Sequence, residues 1–149
     1  KVEEARLAIE AGAKQVTMAP HIGALKGRDL VALFEDISDV VYISHQADAL
    51  CKVIVETSLL TQEEIIIASQ IARMTGADFV QTGSGFGETA ITIEDVSLIR
   101  EVVGEGVGVE ASGGILDLAT AQAMIAAGAN RIGTRAGVSI AQAEEVSAG

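Results

Sequence analysis

Residues 75–82 read TGADFVQT, and two near copies of this stretch occur at 11–18 (AGAKQVTM) and 127–134 (AGANRIGT). In each copy a glycine followed by alanine can end a helix, and the β-prone residues that come next can begin a strand. Since one helix-to-strand joint is used three times, the sequence indicates a repeated αβ unit. Helices that alternate with strands predict a parallel sheet, either closed into a barrel or open and doubly wound.

The segments around these joints extend the same alternation along the whole chain. Thr61 and Glu64 have the spacing of a capping box, which marks the start of one helix. Apolar residues at helical spacing predict helices over 2–12, 29–43, 61–76 and 118–128, with two more that begin near 92 and 138. Strands are predicted at 15–20, 51–57, 77–82, 106–114 and 130–134. Because no linker or low-complexity tract interrupts this pattern, we predict a single domain over residues 1–149.

The composition limits the partners that this domain can have. Hydrophobic residues make up 49% of the chain, enough for one buried core, and the formal net charge is -11. Such a charge repels phosphate backbones and anionic lipid, so nucleic acid and membranes are not expected as partners. A small anionic ligand remains compatible, because amides at a helix N-terminus attract it locally. The single Cys51 and the lack of a long apolar run predict a cytoplasmic location.

Polar residues lie inside three of the predicted strands. Lys52, Gln81 and Glu110 are separated by 81 − 52 = 29 and 110 − 81 = 29 residues, which predicts equivalent places on successive strands. A lysine inside a sheet is costly unless it is paired, so Lys52 is predicted to have an ion-paired or functional role, with Glu110 as its partner. Two alternatives stay open: Lys52 extends to solvent, or the pair is a salt bridge without chemistry.

Glycines follow the last three predicted strands. Such residues let backbone N–H groups approach an oxyanion, and the helix that follows adds its dipole. This pattern predicts a phosphate site in which the Arg135 guanidinium binds the phosphate through two N–H groups. Tight turns would also use glycine, so the glycines alone do not decide between the two explanations. The candidate residues are Gly83 and Gly85 of the GSGFG loop (83–87), Gly113, Gly114, Thr134 and Arg135.

Other chemistries have no support in the sequence. His21 and His45 lack metal-ligand spacing, and neither a metal nor a cofactor is predicted. No G-x-S-x-G nucleophile motif is present, and GSGFGE at 83–88 lacks the third glycine of a dinucleotide fingerprint.

Four segments together resemble the deoxyribose-phosphate aldolase family: HIGALKGRDL (21–30), CKVIVETSLLTQEEI (51–65), ADFVQTGSGFGETAITIEDVSLIREVVG (77–104) and GVGVEASGGILDLATAQAMIAAGANRIGTRAGV (106–138). The resemblance covers nearly the whole chain. It implies a (β/α)₈ TIM barrel, of which about five βα units, strands four to eight, would be present here. It also implies cleavage of 2-deoxyribose 5-phosphate to glyceraldehyde 3-phosphate and acetaldehyde through a lysine Schiff base.

The resemblance assigns roles to individual positions, and several residues here depart from them. Gln81 stands where the family has its Schiff-base lysine, and Glu110 stands where it has the second lysine. Thr17 replaces an aspartate that helps to move protons, whereas Lys52 matches a lysine that the family keeps. Gly85, Gly113 and Gly114 match the phosphate loops, and Arg135 with Ala136 replaces a serine pair.

These departures predict a changed function. An amide nitrogen is not nucleophilic and forms no iminium, so Gln81 removes the family's covalent step. We therefore expect an aldolase-like protein that binds a small phosphorylated sugar or aldehyde without Schiff-base cleavage at Gln81. Any surviving activity would use Lys52 as the amine or Glu110 as a general base. The alternatives are a catalytically silent binder or regulator, and a truncated barrel module that is completed as a homo-oligomer or by another chain.

Overall fold

The computed structural model describes residues 1–86 and 90–147 of the chain. Five strands and seven α-helices follow one another along these residues, with two helices between the first and second strands and one helix between each later pair of strands. The strands are β1 (Gln15–Met18), β2 (Leu50–Ile54), β3 (Phe79–Gln81), β4 (Gly108–Ser112) and β5 (Arg131–Gly133). The helices are α1 (Val2–Glu10), α2 (Ile22–Lys26), α3 (Leu30–His45), α4 (Gln62–Met74), α5 (Ile93–Val103), α6 (Leu118–Ala126) and α7 (Gly137–Ser147).

The strands form one parallel sheet in the order β1-β2-β3-β4-β5, which confirms the predicted α/β class. Neighbouring strands are about 4.8 Å apart, so a flat sheet would separate β1 from β5 by about 19 Å. Instead, Arg131 Nη1 on β5 donates a hydrogen bond of 2.7 Å to Gln15 Oε1 on β1. The sheet therefore curves strongly, as in a barrel, and this excludes the open doubly wound alternative.

The three copied joints are the same structural motif. Gly12, Gly76 and Gly128 have φ values of 103°, 84° and 112°, a left-handed region that glycine enters without a steric penalty. In each joint the glycine N–H and the next N–H donate back to the last turn of the helix, as in a Schellman cap. These caps end α1, α4 and α6 and direct the chain into β1, β3 and β5.

The helix starts follow the cap residues that the sequence contains. Thr61 and Glu64 form both hydrogen bonds of the predicted capping box at the start of α4. Thr92 and Asp95 form a second box at the start of α5, at the first of the two positions that the sequence allowed. Each box satisfies N–H groups that have no partner within the helix, which fixes where the helix begins.

The core lies between the sheet's outer face and the helices. Cys51, Val53 and Val80 on this face are fully buried, in one cluster with Leu33 and Ile65 from the helices. Because the Cys51 thiolate would lose its hydration there, burial raises the pKa of the Cys51 thiol to about 11. Hydrophobic burial of this outer face leaves the concave inner face for polar side chains.

Helix α2 and the end of strand β2 differ from the sequence prediction, and β1, β3 and β4 are shorter than predicted. Helix α2 was not predicted, because five residues are too few to show helical periodicity; His21 Nδ1 caps it by accepting from Ala24 N. Strand β2 ends at Ile54 instead of Thr57, since Glu56 adopts a left-handed conformation with φ 60° and a short 3-10 turn follows. Among the described residues, none of the helices has the length and hydropathy that a membrane crossing requires.

A stack of three residues fills one end of the concave face. A Cβ atom added to Gly108 would lie 2.2 Å from a carbon of the Phe79 ring, so the ring lies directly on the β4 backbone. The Arg131 guanidinium carbon lies 4.1 Å from the centroid of the same ring, which is a cation–π contact. Only glycine at position 108 leaves room for this arrangement.

We expect Gly108→Ala to lower the free energy of unfolding by about 1 to 3 kcal/mol, because the methyl group would overlap the Phe79 ring. Gly106→Ala is the matched control, since nothing lies within 4 Å of a Cβ atom at that position. Urea denaturation of both variants measures the difference. Equal stability of the two variants would contradict the stack.

Candidate functional site

The strand register decides which polar side chains meet on the concave face. Gln81 on β3 pairs with Glu110 on β4, as the equal spacing predicted. On β2, however, Ile54 pairs with Gln81, whereas Lys52 pairs with Phe79. The prediction of equivalent places is therefore wrong for Lys52, which lies two residues lower on the same face. The reason is that strands in a barrel are staggered, so equal spacing along the chain does not give equal height.

Lys52 and Glu110 form a buried ion pair. Lys52 Nζ lies 2.7 Å from Glu110 Oε2, and the two side chains are only 9% and 8% exposed. Arg131 Nη1 lies 3.5 Å from the same oxygen. One carboxylate oxygen thus faces two cations, and Lys52 does not extend to solvent. The sequence analysis missed Arg131, although its place in the strand after Glu110 was a usable signal.

Gln81 is held by the loop that follows its own strand. The side chain is buried, and Nε2 donates a hydrogen bond of 2.6 Å to the carbonyl oxygen of Gly83. Since a carbonyl oxygen can only accept, this contact fixes the amide orientation. Thr82 points to the other face, where Oγ1 donates to Ser112 O and accepts from Ser112 N. These bonds hold the ends of β3 and β4 together.

A cavity of about 450 Å³ opens at the carboxyl ends of the strands, where barrel enzymes place their sites. This cavity brings together all six residues that the sequence predicts to bind phosphate. The residues that line it include Gly83, Gly85, Gly113, Gly114, Thr134 and Arg135. Gly87, the last glycine of the GSGFG loop, lies outside the described residues.

The residues that line this cavity include Glu56, a carboxylate that was not among the predicted site residues. Glu56 Oε2 accepts a hydrogen bond of 3.0 Å from Ser84 N, and Oε1 accepts one of 3.3 Å from Ser58 Oγ. The amide at the centre of the GSG loop is therefore already bound to an anionic group of the protein. The signal available in the sequence was the acidic residue directly after the strand in KVIVET.

Other lining residues have the opposite charge. Arg135 lines the cavity, and helix α7 begins two residues later, at Gly137, so its N-terminus adds positive partial charge next to Arg135. Within residues 1–86 and 90–147, no acceptor contacts the backbone N–H of Gly114 or of Arg135. The Thr134 hydroxyl is occupied, because Oγ1 donates to Ile115 O and accepts from Ala136 N.

Thr17 lies away from the cavity with the glycine loops. It pairs with Lys52 across β1 and β2, but its side chain is exposed and lines a second cavity, of about 470 Å³, between α1 and β1. The histidines are also distant, since His21 caps α2 and His45 Nε2 lies 2.9 Å from Asp78 Oδ2. In the part of the chain that the structure describes, no group of three metal-ligating side chains is found.

Comparisons with curated proteins match almost the whole chain. A deoxyribose-phosphate aldolase of Thermococcus gammatolerans is 51% identical over 142 residues, which cover 95% of this chain and 63% of that protein. The corresponding protein of Clostridium tetani is also 51% identical, over 95% of this chain and 65% of its own length. The chain therefore spans less than two thirds of the length of these relatives. No family model matches it.

Solved structures of aldolases are similar to the chain over the same part of its length. An aldolase called QR15 superposes with a TM-score of 0.88 at 40% identity, over 95% of this chain and 63% of its own. The deoxyribose phosphate aldolase of Aeropyrum pernix, whose structure is described as uniquely tetrameric, gives a TM-score of 0.87 at 29% identity, over 97% of this chain and 61% of its own. The five-stranded sheet thus matches a segment of a TIM barrel, which confirms the predicted fold.

We expect Lys52→Met to lower the free energy of unfolding by about 3 kcal/mol, because it leaves the buried Glu110 carboxylate without its nearest cation. The double variant Lys52→Met/Glu110→Leu should recover at least half of that loss. The control is Lys26→Met, which removes a surface pair with Glu64 and should change little. Urea denaturation gives the three values; an equal effect of both single variants would contradict a buried ion pair.

Proposed function

Because the chain belongs to the deoxyribose-phosphate aldolase family, we propose that the cavity at the carboxyl ends of its strands binds a small phosphorylated sugar or aldehyde. The observation that carries this proposal is that Gly113, Gly114 and Arg135 line one cavity, with helix α7 beginning two residues after Arg135. Free backbone N–H groups, a guanidinium and a helix N-terminus are the groups that bind phosphate in proteins.

The charges of the two walls favour one place for the phosphate. On the Gly83–Gly85 side, the Glu56 carboxylate holds Ser84 N and would repel a second anion. On the other side, Gly114 N and Arg135 have no competing carboxylate among their described contacts. We therefore assign the phosphate group to Gly114 and Arg135, and the uncharged remainder of the ligand to the part of the cavity that Gly83 lines.

The same contacts argue against a covalent intermediate. Gln81, at the position of the family's Schiff-base lysine, offers an amide that cannot form an imine. Lys52, the remaining amine on the concave face, donates to a carboxylate at 2.7 Å. That contact holds the Lys52 amine against Glu110, and Lys52 is not among the described residues that line the cavity with the glycine loops. We propose that the protein binds the phosphorylated ligand without cleaving it through an imine.

We expect Arg135→Gln to weaken the binding of 2-deoxyribose 5-phosphate about tenfold, since it removes charged hydrogen bonds to the phosphate. Arg28→Gln is the matched control, because Arg28 is exposed and pairs with Glu63 on the surface. Titration calorimetry measures both affinities. A wild-type protein that binds no phosphate ligand at millimolar concentration would refute the proposal, and so would an equal loss in the control.

A trapping experiment tests the absence of imine chemistry. Wild-type protein incubated with glyceraldehyde 3-phosphate or acetaldehyde and then reduced with borohydride should show no covalent mass gain beyond that of a denatured sample. Mass spectrometry of the intact protein and of its peptides makes this comparison. An adduct on Lys52 that disappears in Lys52→Arg would show that Lys52 is the reactive amine and that this part of the proposal is wrong.

A further inference from the structure

The backbone holds Glu56 in a strained conformation beside the cavity. Glu56 has φ 60° and ψ 64°, a left-handed conformation that is costly for a residue other than glycine. On one side of it, Val55 N donates a hydrogen bond of 2.8 Å to Gln81 O. On the other side, Thr57 N donates one of 2.9 Å to Thr82 O. Both neighbours of Glu56 are thus bound to the end of β3, which fixes where its side chain begins.

The carboxylate of this side chain lies against the loop that follows β3. Oε2 accepts from Ser84 N at 3.0 Å, and Oε1 accepts from Ser58 Oγ at 3.3 Å. A Cβ atom added to Gly83 would lie 3.1 Å from Oε1, so the carboxylate is next to the loop backbone. Glu56, Ser58, Gly83 and Ser84 all line the 450 Å³ cavity. A negative charge of the protein therefore borders the space available to a ligand.

Two amides of the same loop already have acceptors within the protein. Ser84 N is bound to the Glu56 carboxylate, and Phe86 N donates to Ser84 Oγ at 3.2 Å. Backbone amides in a glycine-rich loop are the groups that would otherwise bind an anion. Since the chain supplies its own carboxylate here, a second anionic group of a ligand would meet a like charge and an amide that is already occupied.

The cavity is too small for a ligand to avoid this charge. A volume of about 450 Å³ corresponds to a space roughly 10 Å across, which is about one Debye length in 0.1 M salt. An ionised carboxylate only accepts hydrogen bonds, so it cannot bond to another carboxylate, whereas a hydroxyl group can donate to it. A ligand with its phosphate at Arg135 therefore has its other end within the field of Glu56.

On the basis of the binding function proposed above, we propose that Glu56 determines specificity by admitting phosphorylated ligands with a single anionic group. The phosphate binds at Gly114 and Arg135, and hydroxyl groups at the uncharged end donate to Glu56. A carboxylate or a second phosphate at that end is rejected, because two like charges would lie close together without a donor between them. The site therefore distinguishes phosphorylated alcohols and aldehydes from phosphorylated acids and bisphosphates.

Two probes with the same number of carbon atoms test this specificity. Glycerol 3-phosphate has an alcohol where 3-phosphoglycerate has a carboxylate. Titration calorimetry of the wild-type protein with both probes and with inorganic phosphate, at one salt concentration, gives their affinities. We expect glycerol 3-phosphate to bind about tenfold more tightly than 3-phosphoglycerate, the effect of one repulsive unit charge at about 10 Å and an effective dielectric constant of about 20.

The variant Glu56→Gln identifies the charge that is responsible. The amide oxygen of glutamine can still accept from Ser84 N, so the loop keeps its hydrogen bond while the charge is removed. The ratio of the two affinities should fall from about tenfold to about twofold. The matched control is Glu63→Gln, which removes the same formal charge from an exposed pair with Arg28 and should keep the wild-type ratio.

The outcomes separate this inference from the function on which it rests. If Glu56→Gln fails to fold, Glu56→Asn decides the question, because asparagine tolerates the left-handed backbone and is uncharged. Equal affinity of the wild-type protein for the two probes overturns the specificity but leaves phosphate binding intact. A ratio that removal of the Glu56 charge does not change also overturns it, and so does an equal fall in Glu63→Gln. If neither glycerol 3-phosphate nor inorganic phosphate binds, the proposed binding function is wrong and the specificity is wrong with it.

Discussion

The polar network on the concave face is the interaction on which the rest of the structure depends. Lys52 on β2 pairs with Glu110 on β4, and Arg131 on β5 links that carboxylate to Gln15 on β1. Four of the five strands thus contribute to one set of contacts, and the edge strands meet only because the sheet curves. A buried carboxylate needs compensating charge, so this network limits which side chains can occupy the face.

The same network is the basis of the chemistry proposed for this site. A carboxylate at 110 keeps the one remaining interior amine in an ion pair, and the amide at 81 contributes hydrogen-bonding atoms instead of a nucleophile. The cavity at the carboxyl ends of the strands is lined by both Glu56 and Arg135, and Glu56 Oε2 already accepts a hydrogen bond from Ser84 N. These contacts underlie the proposal of noncovalent recognition, in which charge and hydrogen-bond complementarity select the ligand.

Much of the fold could be predicted because its signals are local. The Gly-Ala joints, the capping box of Thr61 and Glu64, and the alternation of strands and helices each depend on residues close in sequence. Helix α2 and the early end of β2 could not be predicted, since the first is too short to be periodic and the second depends on the left-handed backbone at Glu56. The sequence predicted the candidate site as a set of residues at the ends of strands. It did not predict that the negatively charged Glu56 and the positively charged Arg135 line the same cavity.

The sequence by itself determined the αβ order, the glycines at the strand ends and the presence of an amide at position 81, since residue identity and local hydrogen bonding are sufficient for these. Only the tertiary structure decided that Lys52 lies two residues below Gln81, that Glu56 holds Ser84 N, and that Glu110 Oε2 accepts from Lys52. The physical reason is that register, curvature and charge pairing join residues from distant parts of the chain. Their energies depend on distances that no local pattern contains.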